Sequence, residues 1–302
     1  MISALEAPVA RRRGTRLARR TRQAIVAVVG ALFACTAALA AEPIRVVSQT
    51  VGTDELLLAV AAPDQIAALS HLSDDPMFSA VSEAARAYPK LTLGDAETVL
   101  KHRPTLLLAT DFSRSELIEQ VRRAGVRVMT FDRYATLDDA FVNLRRLAAE
   151  LGGDSPARAE QVIAETQRRV VALADRLAGV QPKRVIAPST YGVIPGRATT
   201  FQDQCEHAGA INLAATLGGL VGHAAPPNEQ MLTWPIEYVV VAGESLEAAL
   251  APFRKLPPYA FMPAVRQNQA VLIAPYMMSC VSHLRVEAYE AIARGLHPER
   301  FH

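Results

Sequence analysis

From Pro43 onward, short apolar runs alternate with stretches of helical spacing. The runs "IRVVS" (44–48), "IAALS" (66–70), "TLLLA" (105–109) and "VRVMTF" (126–131) are branched and nearly continuous, which predicts strands buried on both faces. Helical patterns separate them. "SRSELIEQVRRAG" opens on a capping box of Ser113 with Glu116 and stops at Gly125; "TLDDAFVNLRRLAAELG" starts at Thr136 and stops at Gly152. Such alternation predicts an α/β fold, a sheet covered by helices.

The alternation breaks once. "SPARAEQVIAETQRRVVALADRLAG" predicts a helix of about 23 residues, with Ser155 as N-cap, Pro156 in the first turn and Gly179 at the end. Val162, Thr166, Val170, Leu173 and Leu177 form its apolar stripe. At 1.5 Å per residue it runs roughly 35 Å, more than a crossover on a small sheet needs. Alternation then resumes with "RVIAPS" (184–189), a helix over 200–207, "YVVVA" (238–242), a helix from Glu244, "AVLIA" (270–274) and "SCVSHLRVEAYEAIARGL" as a final amphipathic helix packed on the second sheet. The order predicts a first lobe over 41–153, a connecting helix over 154–179 and a second lobe over 180–302.

Residues 1–40 stand apart. "RRRGTRLARRTR" followed by "QAIVAVVGALFACTAALA" is a basic segment, an apolar core and a small-residue end, the pattern of a secretory signal cleaved after Ala40. The apolar stretch is short and rich in Ala, which disfavours a membrane anchor. Arg19 and Arg20 admit a twin-arginine variant of export, and "LFAC" ending at Cys35 admits lipoprotein acylation. The arginines of this leader outweigh the formal charge of +2, so the mature chain is slightly acidic and nucleic acid is not an expected partner. Cys205 and Cys280 survive cleavage; an oxidising compartment permits a disulfide between them, with two free buried thiols as the alternative.

Two stretches of the mature chain rhyme: "AETVLKHRPTLLLA" (96–109) and "NEQMLTWPIEYVVVA" (228–242). Each sets a Glu near the start of a short helix, a Pro where the helix cannot continue, and then a central strand. The helix dipole alone favours Glu in a first turn, so by itself the rhyme shows a repeated helix-to-strand step.

Taken in order, "RVVSQTVGTDELLLAVAAPDQIAALS", "AETVLKHRPTLLLAT", the long helix, "YGVIPGRATTFQDQCEHAGAINLAA", "NEQMLTWPIEYVVVAG" and the terminal "GLHPERF" resemble the periplasmic solute-binding proteins of ABC importers that take up ferric siderophores, haem and vitamin B12. The resemblance spans essentially the whole mature chain. It implies two Rossmann-like lobes joined by one long rigid helix, with the ligand in the cleft between them. It also implies a monomer that delivers a small metal chelate to an inner-membrane permease and uses no cofactor of its own. One exposed Glu on each lobe docks on permease arginines in that family, and these positions fall on Glu97 and Glu229.

In an α/β sheet a ligand sits outside the carboxyl ends of the strands. The loops after the strands accordingly supply the candidates His71, Phe78, Phe112, Tyr191, Arg197, His223 and Tyr276, with Tyr88 at the edge of the first lobe. Arg197 and Thr199 sit in a Pro-Gly loop before a helix, which suits an anion. Tyr191 and Tyr276 suit ring stacking or ferric coordination, and His71 and His223 suit a metal or an acidic group. The vitamin B12 binders line the cleft with aromatic residues where this chain has Leu72, Thr110 and His223, a departure that Phe78, Phe112 and Tyr191 offset. A ferric siderophore is the leading expectation, followed by haem and then cobalamin.

A bare zinc or manganese ion is the alternative cargo, which His71, Asp74, Asp75, Asp111 and His223 would have to surround. An exported sensor without a permease is another. No Gly-x-Ser-x-Gly elbow, glycine-rich phosphate loop or His-Glu-x-x-His motif occurs, so an enzyme is not expected.

Overall fold

A computed structural model describes residues 43–301, so the leader and its expected cleavage after Ala40 lie outside the described residues. Ten strands follow in order: β1 (Val46–Ser48), β2 (Ile66–Ala68), β3 (Leu106–Thr110), β4 (Arg127–Phe131), β5 (Lys183–Ile186), β6 (Ile194–Pro195), β7 (Ala210–Asn212), β8 (His223–Ala224), β9 (Tyr238–Ala242) and β10 (Ala270–Ile273). They build two parallel four-stranded sheets, ordered β2-β1-β3-β4 and β10-β9-β5-β7, and a small antiparallel ladder of β6 with β8. Numbered within its own lobe, each large sheet has the same strand order, 2-1-3-4. The two lobes are one topology used twice.

The rhyming segments occupy equivalent places in it. Strands β3 and β9 are internal third strands, buried along most of their length, which is why both read as unbroken apolar runs. Glu97 and Glu229 are each the second residue of the short helix before them, Ala96–Lys101 and Asn228–Met231.

Capping follows the sequence at several ends. Thr136 and Asp139 form a capping box on helix Leu137–Leu151, which stops at Gly152 with φ 66°. Ser113 does not cap as expected. The helix begins at Ser115 after Arg114, while Ser113 Oγ accepts from Thr110 N (3.0 Å) and donates to Gln49 Oε1 (2.6 Å), tying the ends of β1 and β3 together.

The connecting helix Ser155–Arg176 has 22 residues, and Asp154, not Ser155, precedes it. It faces both lobes: Arg158 Nε donates to Val60 O of the first lobe (2.8 Å), and Arg169 forms a fork with Glu290 of the final helix, Val286–Leu296 (2.9 and 2.8 Å). One hydrophobic core runs through the junction, with Leu144, Ile163, Leu173, Phe201 and Tyr289 all buried in it.

A buried ion pair closes the junction. Arg285 is fully buried, and all five of its N–H donors are used: on Tyr134 O (2.7 Å), Ala135 O (2.9 Å), Val281 O (2.9 Å), Ser282 O (3.2 Å) and Asp203 Oδ2 (3.0 Å). Asp203 also accepts from the Tyr289 hydroxyl and from Leu137 N. Tyr134, Ala135 and Leu137 belong to the first lobe and Asp203 to helix Thr200–His207 of the second, so the pair staples one lobe to the other.

The possible disulfide is not formed. Cys205 and Cys280 are free and buried, Cys205 in the shared core and Cys280 with its sulfur 3.5 Å from both Glu55 Oε2 and Ser282 Oγ. No helix among the described residues is long and apolar enough to cross a membrane.

Removing one partner of a buried pair strands the other charge. Arg285→Ala should therefore lower the unfolding free energy by about 3–5 kcal/mol in urea titrations. Arg285→Lys should recover little of this, since an ammonium has three donors and lacks the planar fork.

Candidate functional site

Each sheet opens a cavity at the carboxyl ends of its strands. In the second lobe a cavity of about 310 Å3 lies against Ser189, Thr190, Tyr191, Phe201, His223 and Phe253. In the first, about 200 Å3 lies against Thr50, Thr53, Thr110, Phe112, Phe131 and Tyr134. Met278 lines the former; Ser279 and Val281 line the latter. Met278 and Ser279 are chain neighbours, so one short segment is a floor common to both cavities, and the two together are the cleft.

Two close approaches fix the cleft walls. A Cβ on Gly52 would come within 2.3 Å of Val281 Cγ2, so glycine lets the start of helix Val51–Val60 lie against the floor without Val281 having to shift. A Cβ on Gly196 would meet Leu220 O at 2.3 Å, where Gly196 N donates to Gly222 O (2.8 Å) and Arg197 N to Leu220 O (2.9 Å). That contact pins the loop after β6 to the loop before β8 and holds His223 opposite Pro195.

Of the residues the sequence suggested, Tyr191 and His223 line the second-lobe cavity and Phe112 the first-lobe one. Tyr191 is 90% exposed on the loop after β5, its N–H held by Ser189 Oγ (3.0 Å). Phe112 is 67% exposed and stands edge-on to Tyr134, ring centres 6.3 Å apart.

The others lie outside both linings. His71 and Phe78 are exposed on the turns after β2, Tyr88 packs half-buried on the main core, and Arg197 is exposed at the rim of the second lobe. Tyr276 is half-buried and donates to Glu287 Oε2 (2.7 Å). Glu97 and Glu229 are exposed, Glu97 with Lys101 at 3.1 Å.

The proposed metal ligands do not converge. Asp74 pairs with Lys90 (3.6 Å), Asp75 accepts from Met77 N (2.8 Å), Asp111 accepts from the Tyr134 hydroxyl (3.1 Å), and His223 is on the other lobe. Among the described residues no three His, Cys, Asp or Glu side chains gather as a metal site.

Sequence reading passed over Tyr134, Ser279 and Val281. Tyr134 follows β4, where the same rule about strand ends points to it; the floor segment follows β10, where the rule reaches Tyr276 but does not tell which of its neighbours turn to the cleft.

Among the described residues no Lys, Arg, Asp or Glu lines either cavity. Carboxylates lie just beneath the floor. Burial pushes the Asp54 carboxyl up to about 7, against hydrogen bonds from Ser48 and from the hydroxyl and N–H of Ser70. Burial also raises Glu55, which accepts from Ala80 N (3.2 Å), and it raises the Cys280 thiol beside it.

A family profile described as periplasmic binding protein matches residues 46–277. Among solved structures the chain is similar to a periplasmic haem-binding protein from Pseudomonas aeruginosa (25% identity, TM-score 0.70, covering 85% of this chain and 93% of that one). It is similar to the haem-binding protein RhuT from Roseiflexus sp. RS-1 in apo form (22%, TM-score 0.70, 83% and 98%). It is also similar to the vitamin B12-binding protein BtuF of Vibrio cholerae (18%, TM-score 0.65, 85% and 98%). No curated protein matches significantly.

Because the folded-state pKa of Asp54 is raised, the stabilisation linked to its protonated form is fully present below about 4, the unfolded value, and is lost as pH rises through about 7. Asp54→Asn should remove that component. Its stability relative to wild type, from urea titrations at pH 5 and pH 8, should rise between the two; a constant difference would show that Asp54 does not titrate there.

Proposed function

Because the chain belongs to the periplasmic binding protein family, we propose that it is an exported solute-binding protein that takes a haem-type iron tetrapyrrole into the cleft and hands it to an ABC importer. The observation that carries this reading is the lining of the cleft: mostly aromatic, aliphatic and hydroxyl side chains on both walls, with His223 and Asn143 and, among the described residues, no Lys, Arg, Asp or Glu. A chelate whose charge had to be buried would shed its hydration there with no Lys or Arg among the described lining residues to replace it, whereas a haem keeps its propionates outside the lining, where Arg197 is exposed. A flat ring system loses little and gains contact with Phe112 and Tyr134 on one wall and Tyr191 and Phe253 on the other.

The remaining polarity fits the same cargo. His223 and Tyr191 on one wall, with Met278 on the floor and Tyr134 on the other wall, are the lining side chains chemically suited to hold a ferric haem, and the exposed Arg197 guanidinium in the loop after β6 suits the propionates a haem leaves near solvent. The haem-binding neighbours support the choice; the vitamin B12-binding neighbour supports only the wider class of tetrapyrroles.

Delivery falls to Glu97 and Glu229. Two exposed carboxylates at equivalent positions of the two lobes form a two-point latch for permease arginines. Each exposed pair adds about 1 kcal/mol or less, so the gain lies in orientation and encounter rate.

Haem added to the apo protein should give a saturable Soret band, weakened at least tenfold in His223→Ala or shifted in Tyr191→Phe. Saturable quenching by a ferric hydroxamate siderophore with no haem response would replace haem by siderophore. Glu97→Arg combined with Glu229→Arg should leave the haem affinity within twofold and abolish uptake through the cognate permease; unimpaired uptake would remove the latch.

A further inference from the structure

Helix Thr200–His207 reaches from the cleft to the lobe junction. Thr200 and Phe201 line the second-lobe cavity, whereas Asp203, Glu206 and His207 line a separate cavity of about 540 Å3 at the junction. Its floor is apolar, made of Leu137 and Phe141 from the first lobe and Val170 and Val171 from the connecting helix. The volume falls within the range of small-molecule sites, about 300–1,000 Å3. Val171 is 59% exposed, so the cavity is open to solvent on that side.

Its lining carries three carboxylates and one imidazole, His207, whose Nδ1 is 3.8 Å from Asp203. Among the described residues no Lys or Arg lines the cavity, while Asp138, Asp203 and Glu206 do. Arg285 neutralises Asp203, but neither Asp138 nor Glu206 has a cationic partner among the described residues. Asp138 has a local reason to be where it is, at the positive end of helix Leu137–Leu151. Glu206 has the opposite situation. It stands in the last turn of helix Thr200–His207, where unsatisfied carbonyls already concentrate negative charge and a carboxylate costs stability. Its hydrogen bond from Gln202 Nε2 (2.8 Å) is neutral and leaves that charge in place. A carboxylate at the unfavourable pole of a helix, beside a second carboxylate and an open apolar floor, is complementary to a positive charge carried on an apolar body.

We infer that the junction cavity is a second ligand site, for a small organic ammonium ion whose charged head meets Glu206 and Asp138 and whose apolar body lies on Phe141, Val170 and Val171. The site touches both lobes and the connecting helix, so an occupant braces all three. The helix it shares with the cleft links it to the cargo site without overlapping it.

The test is calorimetric titration of the full mature chain with phenethylammonium chloride, and with phenylacetate as a probe of like shape and opposite charge. Saturable binding of one amine per chain is expected, with no saturable heat from phenylacetate. Glu206→Gln should weaken the amine at least fivefold, and Val171→Trp, which fills the floor from an exposed position, should abolish its binding. Both substitutions are on exposed residues, and thermal melts matching wild type establish that the variants fold. No saturable binding of the amine, equal binding of phenylacetate, or an amine affinity unchanged in both variants would each overturn the inference.

Discussion

The relative placement of the two lobes depends on a guanidinium that has left water. Burying Arg285 carries a large desolvation cost, and its one carboxylate partner, Asp203, carries another. The structure offsets both by giving Arg285 four backbone carbonyls besides Asp203 and by giving Asp203 the Tyr289 hydroxyl and a backbone N–H. The carbonyls of Tyr134 and Ala135 belong to the loop that follows β4, so the same bonds that satisfy the charge also position a wall of the cleft. Hydrophobic burial around Phe201 and Tyr289 supplies attraction without direction; the ion pair supplies the direction.

With the lobes so placed, the molecule has two hollows of contrasting chemistry on either side of one helix. The cleft is lined by neutral, aromatic and hydroxyl-bearing side chains, whereas the junction cavity pairs carboxylates with an apolar floor. The contrast follows from the fold. Strand ends and their loops deliver side chains of many kinds to the cleft, while helix ends deliver the partial charges of the backbone to the junction.

The large elements were legible because their signals are local. Branched runs gave β3 and β9, and the Thr136 cap with Gly152 bounded its helix to the residue. Ser113 misled because a serine before a helical pattern is a cap by default, and only the neighbouring strand ends show that it ties Gln49 to Thr110 instead. The strand-end rule led to Phe112, Tyr191 and His223, and it was not carried as far as Tyr134. Arg285 and Asp203 were invisible. They are 82 residues apart and each reads as an ordinary polar position, one in an amphipathic helix and the other just before one. The same holds for Cys280, whose partner Glu55 lies 225 residues away.

That separation bears on the order in which the chain becomes a protein. All four strands of the first sheet precede the connecting helix, so this sheet can pair before the second lobe has been made. Its helix Val51–Val60 can pack on β1 and the helices that follow, yet it lacks some native contacts until the floor segment arrives, because Glu55 meets Cys280, Gly52 meets Val281, and the loop after β4 is held by Arg285. The lobe that begins first is thus completed last, by Cys280, Val281 and Arg285. A chain truncated before Val281 would keep every strand of both sheets and still lack the wall that makes the cleft.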